Sequence, residues 1–217
     1  MILDPHVHTL YSIDGYATPR DMARIADKRG VIIAVTDHNI IKGSLRASSL
    51  SGNILCGMEV SSREGHIVAL GIKEEVKKGM SAEETLDRIH ELGGVAIAAH
   101  PFRLRDGLGK KVNSRFDGIE VLNARSNEKS NARARKHAAS LNIAMMGGSD
   151  AHLVEHICSC CTRFDGEGAE DALEAIRKKK TEPLGKELDR AVIAELKFIN
   201  FLILAEKMAG FRNGQNI

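Results

Sequence analysis

The opening segment of the chain carries residues that could bind a metal ion. His6 and His8 stand one residue apart, and Asp14 follows beyond a predicted turn. Side chains two positions apart in an extended strand point to the same side, so both imidazoles can reach one ion. A lone His-x-His pair is weak evidence, because an exposed strand with incidental histidines fits it equally well. The metal interpretation therefore depends on matching residues elsewhere in the chain.

Further histidines and carboxylates lie beside predicted strand ends. Taken singly, each has a structural explanation, such as capping a turn or standing on the surface. Together they favour a site, since six of the nine histidines lie beside strand ends. Imidazole and carboxylate ligands without thiolate are typical of Zn, Mn or Fe in hydrolytic sites. The candidate ligands are His6, His8, Asp14, His38, Glu59, His66, His100, Asp150 and His152. Among them, Glu59 could bridge two ions.

The elements that would position these residues alternate between short apolar strands and helices. Strands are predicted at 2–7, 31–35, 54–61, 66–72, 95–99, 118–122 and 143–146. Helices are predicted from the N-cap Thr18 to Gly30, after a capping box at 81–84, and over 128–140, 167–180 and 188–210. This alternation indicates a parallel α/β fold, in which function collects at the C-terminal strand ends. His66 is the exception, because it begins its strand after a predicted hairpin turn.

Composition limits the classes of protein that fit. A length of 217 residues suggests one domain, and a net charge of +2 demands no polyanionic partner. Basic clusters at 125–136 and 177–180 are interpreted as solvated helix faces. No apolar run reaches the length of a membrane span, and Met1 leads directly into a strand, so we expect neither membrane nor signal peptide.

The four cysteines do not form a secreted disulfide framework, which predicts a cytoplasmic protein. Cys158, Cys160 and Cys161 lack the paired spacing of a structural zinc site. We expect two of them to be small hydrophobic residues inside a strand.

The motifs of this chain occur in an order that resembles that of a known protein family. The motifs are Asp4-Pro-His-Val-His-Thr, Ser12-Ile-Asp-Gly, Thr36-Asp-His-Asn, Gly57-Met-Glu, His66-Ile-Val-Ala-Leu-Gly, Ala99-His-Pro and Gly148-Ser-Asp-Ala-His. They resemble, in type and order over residues 2–152, the polymerase and histidinol phosphatase (PHP) family, particularly its small stand-alone members. The resemblance implies a distorted, TIM-like (β/α)7 barrel with two or three divalent ions (Zn, Mn or Fe) that hydrolyses phosphoesters.

The resemblance also implies a division of the ligands. One ion would be held by His6, His8, Glu59 and Asp150, a second by Glu59, His66 and His100, and a third by Asp14, His38 and His152. Glu59 would bridge two of these ions. We expect the catalytic residues to be Glu59, Asp150 and Arg103, which follows the Ala99-His-Pro motif. Arg103 could clamp a substrate phosphate, or it could be a surface arginine.

Weaker candidates lie nearby. Asn123 and Arg125 follow a predicted strand and could also contact a phosphate. Asp37, beside His38, could orient an imidazole or could serve a turn.

Several hypotheses about the function of the protein remain open at this point. The leading one is a phosphoesterase acting on a small phosphorylated metabolite, a nucleotide or a short oligonucleotide. A histidinol-phosphatase-like monoesterase is the alternative enzyme. The alternative class is a non-catalytic RNA- or protein-binding subunit of the ribonuclease P type. The predicted basic helix at 128–140 would suit that role. The apolar C-terminal helix at 188–210, with Phe198, Phe201, Leu202, Leu204 and Met208, is expected to complete the core, or to cover a homodimer interface.

Overall fold

The structure, a computed structural model, describes residues 1–208. Nine strands form within this part of the chain: β1 Ile2–Val7, β2 Ile32–Val35, β3 Ile54–Ser61, β4 His66–Leu70, β5 Val95–Ala98, β6 Gly118–Asn123, β7 Ala144–Gly148, β8 Cys160–Phe164 and β9 Thr181–Gly185. The helices are α1 Pro19–Arg29, α2 Lys42–Ser48, α3 Ala82–Glu91, α4 Glu128–Leu141, α5 Ala169–Arg177 and α6 Arg190–Met208. Residues 209 and 210, which the predicted last helix includes, lie outside the described part.

The strands form one sheet that closes almost completely into a barrel. Its order is β7-β6-β5-β4-β3-β2-β1-β8-β9. The two ends of the seven-stranded part meet beyond β7, where the Ala151 N–H donates to His6 O and the His8 N–H donates to Ala151 O. Thr162 of β8 adds a side-chain bond of 2.8 Å to Gly147 O. The predicted α/β barrel of PHP type is therefore confirmed, with a β8–β9 hairpin added beside β1.

One strand of the barrel runs against the others. β4 pairs antiparallel with both β3 and β5, while β1, β2, β3, β5, β6 and β7 are mutually parallel. The turn between β3 and β4 is short, and only an antiparallel pair can be joined this way. The reversal brings His66, the first residue of β4, to the end of the barrel where the parallel strands finish. The predicted hairpin is confirmed, and it explains why this ligand begins a strand.

Local sequence signals account for most helix boundaries. Thr18 and Ser81 cap α1 and α3, and each forms a reciprocal capping box with the acid three residues later. Gly30 ends α1 in the left-handed conformation, which glycine adopts without a steric penalty. Cys160 and Cys161 are buried in β8, as expected for small hydrophobic residues.

Two elements were absent from the sequence expectations. α2 contains Gly43 and two serines and has no side-chain cap, so its local helix signal is poor. β9 contains Pro183 and lies at the edge of the sheet, where a missing backbone N–H is tolerated.

Helix α6 differs from the expectation of a core helix. Leu196 is the one fully buried side chain among those described in α6, whereas Phe198 and Phe201 are more than 60% exposed and Leu202 is 44% exposed. The expectation that these three residues complete the core is wrong, because α6 lies outside the barrel wall. The side chains of Leu204 and Met208 lie outside the described part. No helix within residues 1–208 combines the length and apolar character needed to cross a membrane.

Candidate metal centre

All nine candidate ligands come together at the C-terminal end of the barrel. They form four overlapping groups whose ligand atoms lie within 4.8 Å of one another. The groups are His8, Asp14, His38 and His152; His6, His100 and Asp150; His6, His8 and Glu59; and His38, Glu59 and His66. Each group contains at least three imidazole or carboxylate ligands, so each could hold a metal ion.

The carboxylate of Glu59 lies among five imidazole rings. Its Oε1 is 2.8 Å from His66 Nδ1 and 3.0 Å from His100 Nε2. Its Oε2 is 2.9 Å from His38 Nδ1, 3.3 Å from His6 Nε2 and 3.5 Å from His8 Nε2. Because its two oxygens face different sets of rings, this carboxylate has the position that a bridging ligand requires.

The loop after β7 supplies the remaining ligands. Asp150 Oδ1 is 3.6 Å from His8 Nε2 and 3.9 Å from His6 Nε2, the same two nitrogen atoms that Glu59 Oε2 approaches. His152 Nε2 contacts Asp14 Oδ2 at 2.8 Å, and the same oxygen is 3.8 Å from His38 Nε2. The loop therefore faces two groups at once.

Several ligand atoms are buried without a hydrogen-bond partner among the described residues. They are His6 Nε2, His8 Nε2, Asp14 Oδ1, Glu59 Oε2 and His100 Nδ1. Buried polar atoms are nearly always hydrogen-bonded, since an unsatisfied one costs about 1–3 kcal/mol. Imidazole nitrogens and carboxylate oxygens left open around common centres suit a cation, so the residues fit the metal ions that the sequence resemblance implies.

A buried carboxylate that sequence reasoning missed orients two of the histidines. Glu120 of β6 accepts from His6 Nδ1 at 2.8 Å and from the His100 backbone N–H at 2.7 Å. The bond at Nδ1 leaves Nε2 of His6 facing Glu59 and Asp150, which is the usual way in which a carboxylate orients a metal-binding histidine. The signal in the sequence was one acidic residue inside an otherwise apolar strand.

Other polar residues hold the loops that carry the ligands. Asp37 accepts from the Thr9 backbone, the Thr9 hydroxyl and the Ser12 backbone, so of its two predicted roles the structure shows the turn role. Ser12 Oγ lies 3.0 Å from His8 Nδ1 and accepts from the His38 N–H.

The buried Asp4 fastens the start of β1 to the loop after β7. It accepts from the backbone and the hydroxyl of Ser149 and from the backbone of Cys158. Burial raises the pKa of Asp4 to about 6, against the opposing effect of these hydrogen bonds. These bonds fix the residue directly before Asp150.

Two arginines lie against the same loop. Arg103 Nη2 donates to Asp150 Oδ2 at 2.5 Å and to Asn123 Oδ1 at 2.8 Å. Arg125 Nη1 is 3.4 Å from Asp150 Oδ1 and within 2.9 Å of both ring nitrogens of His152. Burial raises the pKa of Asp150, but the two guanidinium groups outweigh it and hold that pKa well below its usual range. Arg103 is thus part of the site and not a surface arginine.

Burial and neighbouring charges shift the pKa values of Glu59 and His8 toward the forms that bind a metal ion. Burial raises the pKa of Glu59, but His38 and His6 outweigh it and keep the carboxyl ionised. Burial, aided by the charges of His152 and His38, lowers the pKa of His8 to about 3. His8 is therefore a neutral imidazole, the form that binds a metal ion.

Comparison with known proteins agrees with this architecture. A family model described as PHP-associated matches residues 128–181. The protein MJ1587 of Methanocaldococcus jannaschii is 36% identical over 141 residues, which cover 57% of this chain and 82% of the relative.

Two solved structures share the fold at lower identity. One is a two-domain protein of Bacteroides vulgatus described as containing a predicted PHP-like metal-dependent phosphoesterase (TM-score 0.66, 19% identity, 91% of this chain and 69% of that chain). The other is the lesion-specific endonuclease PfuEndoQ of Pyrococcus furiosus (TM-score 0.63, 16% identity, 87% of this chain and 59% of that chain). With the barrel, its one reversed strand and the cluster of nine ligands, these matches lead to one conclusion: the chain belongs to the PHP family.

Proposed function

We propose that this protein is a metal-dependent phosphoesterase that hydrolyses a small phosphorylated metabolite, a nucleotide or a short oligonucleotide. The observation that carries the proposal is the Glu59 carboxylate among five imidazoles, with ring nitrogens open toward it. Of the solved structures of similar fold, one is described as containing a predicted metal-dependent phosphoesterase and the other as an endonuclease, which supports the same reaction class.

We assign the ligands to two or three divalent ions, Zn, Mn or Fe. His6, His8, Glu59 and Asp150 would hold one; Glu59, His66 and His100 a second; and Asp14, His38 and His152 a third. Divalent ions in such a site polarise phosphoryl oxygens and lower the pKa of water to near neutrality.

The other residues of the site bind and orient the ester. Arg103 presents a planar guanidinium beside Asp150, and such a group can hold two phosphoryl oxygens at once. Asn123 accepts from Arg103 and donates to Glu120 at 2.9 Å, so it fixes the arginine relative to the ligands. Arg125 lies beside His152 on the same wall. The two arginines give the phosphate of the substrate a positively charged surface next to the ligand cluster.

The first experiment is elemental analysis of the purified protein, followed by assays with Mn²⁺ or Zn²⁺. The substrates are p-nitrophenyl phosphate and bis-p-nitrophenyl phosphate, because their relative rates separate monoesterase from diesterase. A monoesterase preference would favour the histidinol-phosphatase-like alternative. His6→Ala and Glu59→Ala should lose metal and activity together, while His90→Ala, on the far end of α3, should lose neither. Full activity in both ligand variants would refute the site, and a protein with neither metal nor turnover would be a binding subunit instead.

The C-terminal helix supports a second, separate proposal about assembly. Phe198, Phe201 and Leu202 are exposed on α6, so a homodimer could form through this helix. Sedimentation of the wild type and of Phe198→Glu tests it. A concentration-dependent dimer that the substitution abolishes is the expected result, and a wild-type monomer at all concentrations contradicts it.

A further inference from the structure

A group of cysteines at the start of β8 has no part in the proposed hydrolysis. The segment Cys158-Ser-Cys-Cys161 leads from the loop after β7 into β8, and its three cysteines are free thiols. Cys158 is partly exposed, whereas Cys160 and Cys161 are buried. Because the reactivity of a thiol depends on its surroundings and access, the position of each sulfur decides what chemistry this group can perform.

The three thiols divide between the two faces of β8. Cys160 packs in a small cluster with Leu122, and its Sγ donates to Lys186 O at 3.2 Å. Neighbouring residues of a strand point to opposite faces, so Cys161 points away from Cys160. The thiol of Cys161 instead shares a hydrogen bond with the thiol of Cys158, which raises the pKa of Cys158 and lowers that of Cys161. The two thiols that face each other are therefore Cys158 and Cys161.

A tight turn brings these two residues together. In a fully extended segment, residues three positions apart would lie about 10 Å apart, whereas the Cα atoms of a disulfide lie about 4.4–6.8 Å apart. Cys158 has a φ of 65°, which is uncommon for a residue other than glycine. The Ser159 N–H donates to His156 O at 3.0 Å and closes the turn. The turn shortens the span from Cys158 to Cys161, so the two sulfur atoms can meet.

The backbone of Cys158 is one hydrogen bond away from the loop that carries a candidate metal ligand. The Cys158 N–H donates to Asp4 Oδ2 at 2.8 Å. The same carboxylate accepts from the backbone and the hydroxyl of Ser149, the residue directly before Asp150. Asp4 therefore connects the position of Cys158 to the position of Asp150.

A bond between the two sulfur atoms would act on this connection. The sulfur atoms must approach to about 2 Å in a disulfide, which is closer than hydrogen-bonded thiols lie. Cys161 is held within the antiparallel pairing of β8 and β9. Cys158 lies outside the strand, so it must make the larger movement, and its N–H then shifts relative to Asp4.

We propose that Cys158 and Cys161 are a site of reversible oxidation, at which a small-molecule disulfide converts the two thiols to an intramolecular disulfide that weakens metal binding at Asp150. One thiol attacks the small disulfide, forms a mixed disulfide and releases one thiol product. The second cysteine then attacks the sulfur of the first and releases the other thiol product with its proton. Two cysteines are oxidised and one small disulfide is reduced to two thiols. The oxidation requires neither the proposed hydrolysis nor its substrate.

Counting thiols tests the oxidation. Full-length protein loaded with Mn²⁺, which prefers oxygen and nitrogen ligands to thiolates, is equilibrated with several ratios of oxidised to reduced glutathione. The samples are quenched in acid, unfolded, alkylated and weighed by mass spectrometry. The wild type should lose two of its four alkylation sites together with two hydrogen atoms, and excess reduced glutathione should restore them. Cys158→Ser and Cys161→Ser should form no intramolecular disulfide, whereas Cys160→Ser, the matched control, should form it as the wild type does.

Metal affinity tests the effect on the centre. Competition with a chromophoric chelator compares Mn²⁺ binding by the reduced and the oxidised wild type. The oxidised protein should bind about tenfold more weakly, which is the size of effect expected when a residue that positions a metal ligand is displaced. Cys161→Ser should bind Mn²⁺ equally under both conditions, and circular dichroism should show the same helix content in the reduced and oxidised wild type.

Three results would each overturn the proposal. They are the absence of an intramolecular disulfide at every glutathione ratio, a disulfide that persists in Cys161→Ser, and equal Mn²⁺ affinities of the reduced and oxidised wild type. A loss of helix content on oxidation would likewise overturn it, because unfolding would then explain the weaker binding. Hydrolysis of p-nitrophenyl phosphate by the reduced protein remains the separate test of the proposed function.

Discussion

Glu120 accepts a hydrogen bond from His6 Nδ1 through one carboxylate oxygen and from the His100 backbone through the other. The pair of bonds spans β1, β6 and the segment after β5, and both oxygens are used inside the barrel. His6 belongs to one proposed ion and His100 to another. A single side chain outside the set of candidate ligands thus sets the position of two of them.

Replacing this carboxylate by its amide should weaken metal binding. In Glu120→Gln the amide NH2 must face either the His6 N–H or the His100 N–H, so one acceptor is lost. We expect metal affinity to fall about 10–100-fold, as for other partners of metal-binding histidines. Competition with a chromophoric chelator measures it. Glu182→Gln, at an exposed ion pair, is the control, and equal affinities in the two variants would show that Glu120 is not a positioning residue.

Removing a ligand of the third group should remove one ion and spare the rest. His152 contacts Asp14 and Arg125 but is not part of the Glu59 groups. His152→Ala should therefore lower the metal content by about one ion per chain, whereas Glu59→Ala should empty the two positions that it bridges. Elemental analysis after gel filtration measures the metal content of both variants. Equal losses in the two variants would mean that the ligands act as one site.

Changing Arg103 should impair hydrolysis without loss of metal. Arg103→Lys keeps the positive charge but cannot hold two phosphoryl oxygens in one plane. We expect kcat/KM for p-nitrophenyl phosphate to fall about tenfold or more at unchanged metal content. The effect on kcat and on KM, determined separately, shows whether the contact forms mainly in the transition state. Reduced metal content in this variant would instead give Arg103 a structural role through Asp150.

The cap of α1 contributes to stability in a pH-dependent way. Thr18→Ala should reduce the free energy of unfolding by about 1 kcal/mol at neutral pH, measured in urea. The Thr18 hydroxyl bond lowers the pKa of Asp21, so the carboxylate stabilises the fold above its unfolded pKa of about 3.9. This stabilisation is lost as the pH falls through the lower, folded pKa. The difference between the variant and the wild type should therefore shrink in acid, and a difference that stays constant would exclude the capping box as its origin.

The cluster of candidate ligands could be predicted from sequence because each of them lies near the end of a short apolar strand or in the loop after it, with the hairpin adding His66. Glu120 could not be found in this way, because an isolated acid in a strand carries no spacing pattern. Helix α2 depends on tertiary contacts: a Cβ at Gly43 would lie 2.2 Å from Asp37 Oδ2, so glycine is required where local helix propensity would disfavour it. The exposure of Phe198 on α6 could not be predicted either, because the sequence of an apolar helix does not indicate whether the barrel covers that helix.

The reversed strand β4 determines how two of the candidate ligands, Glu59 and His66, are held relative to each other. Glu59 and His66 belong to one continuous hairpin, and the backbone pairing of Ser61 with His66 sets their separation. Other candidate ligands on different strands are also held by backbone hydrogen bonds, as the segments of His38 and Glu59 are, but much longer connections join their strands. Glu59 and His66 are therefore the two candidate ligands on different strands whose spacing is set by the shortest connection. Length changes in the four-residue turn 62–65 would alter that spacing directly.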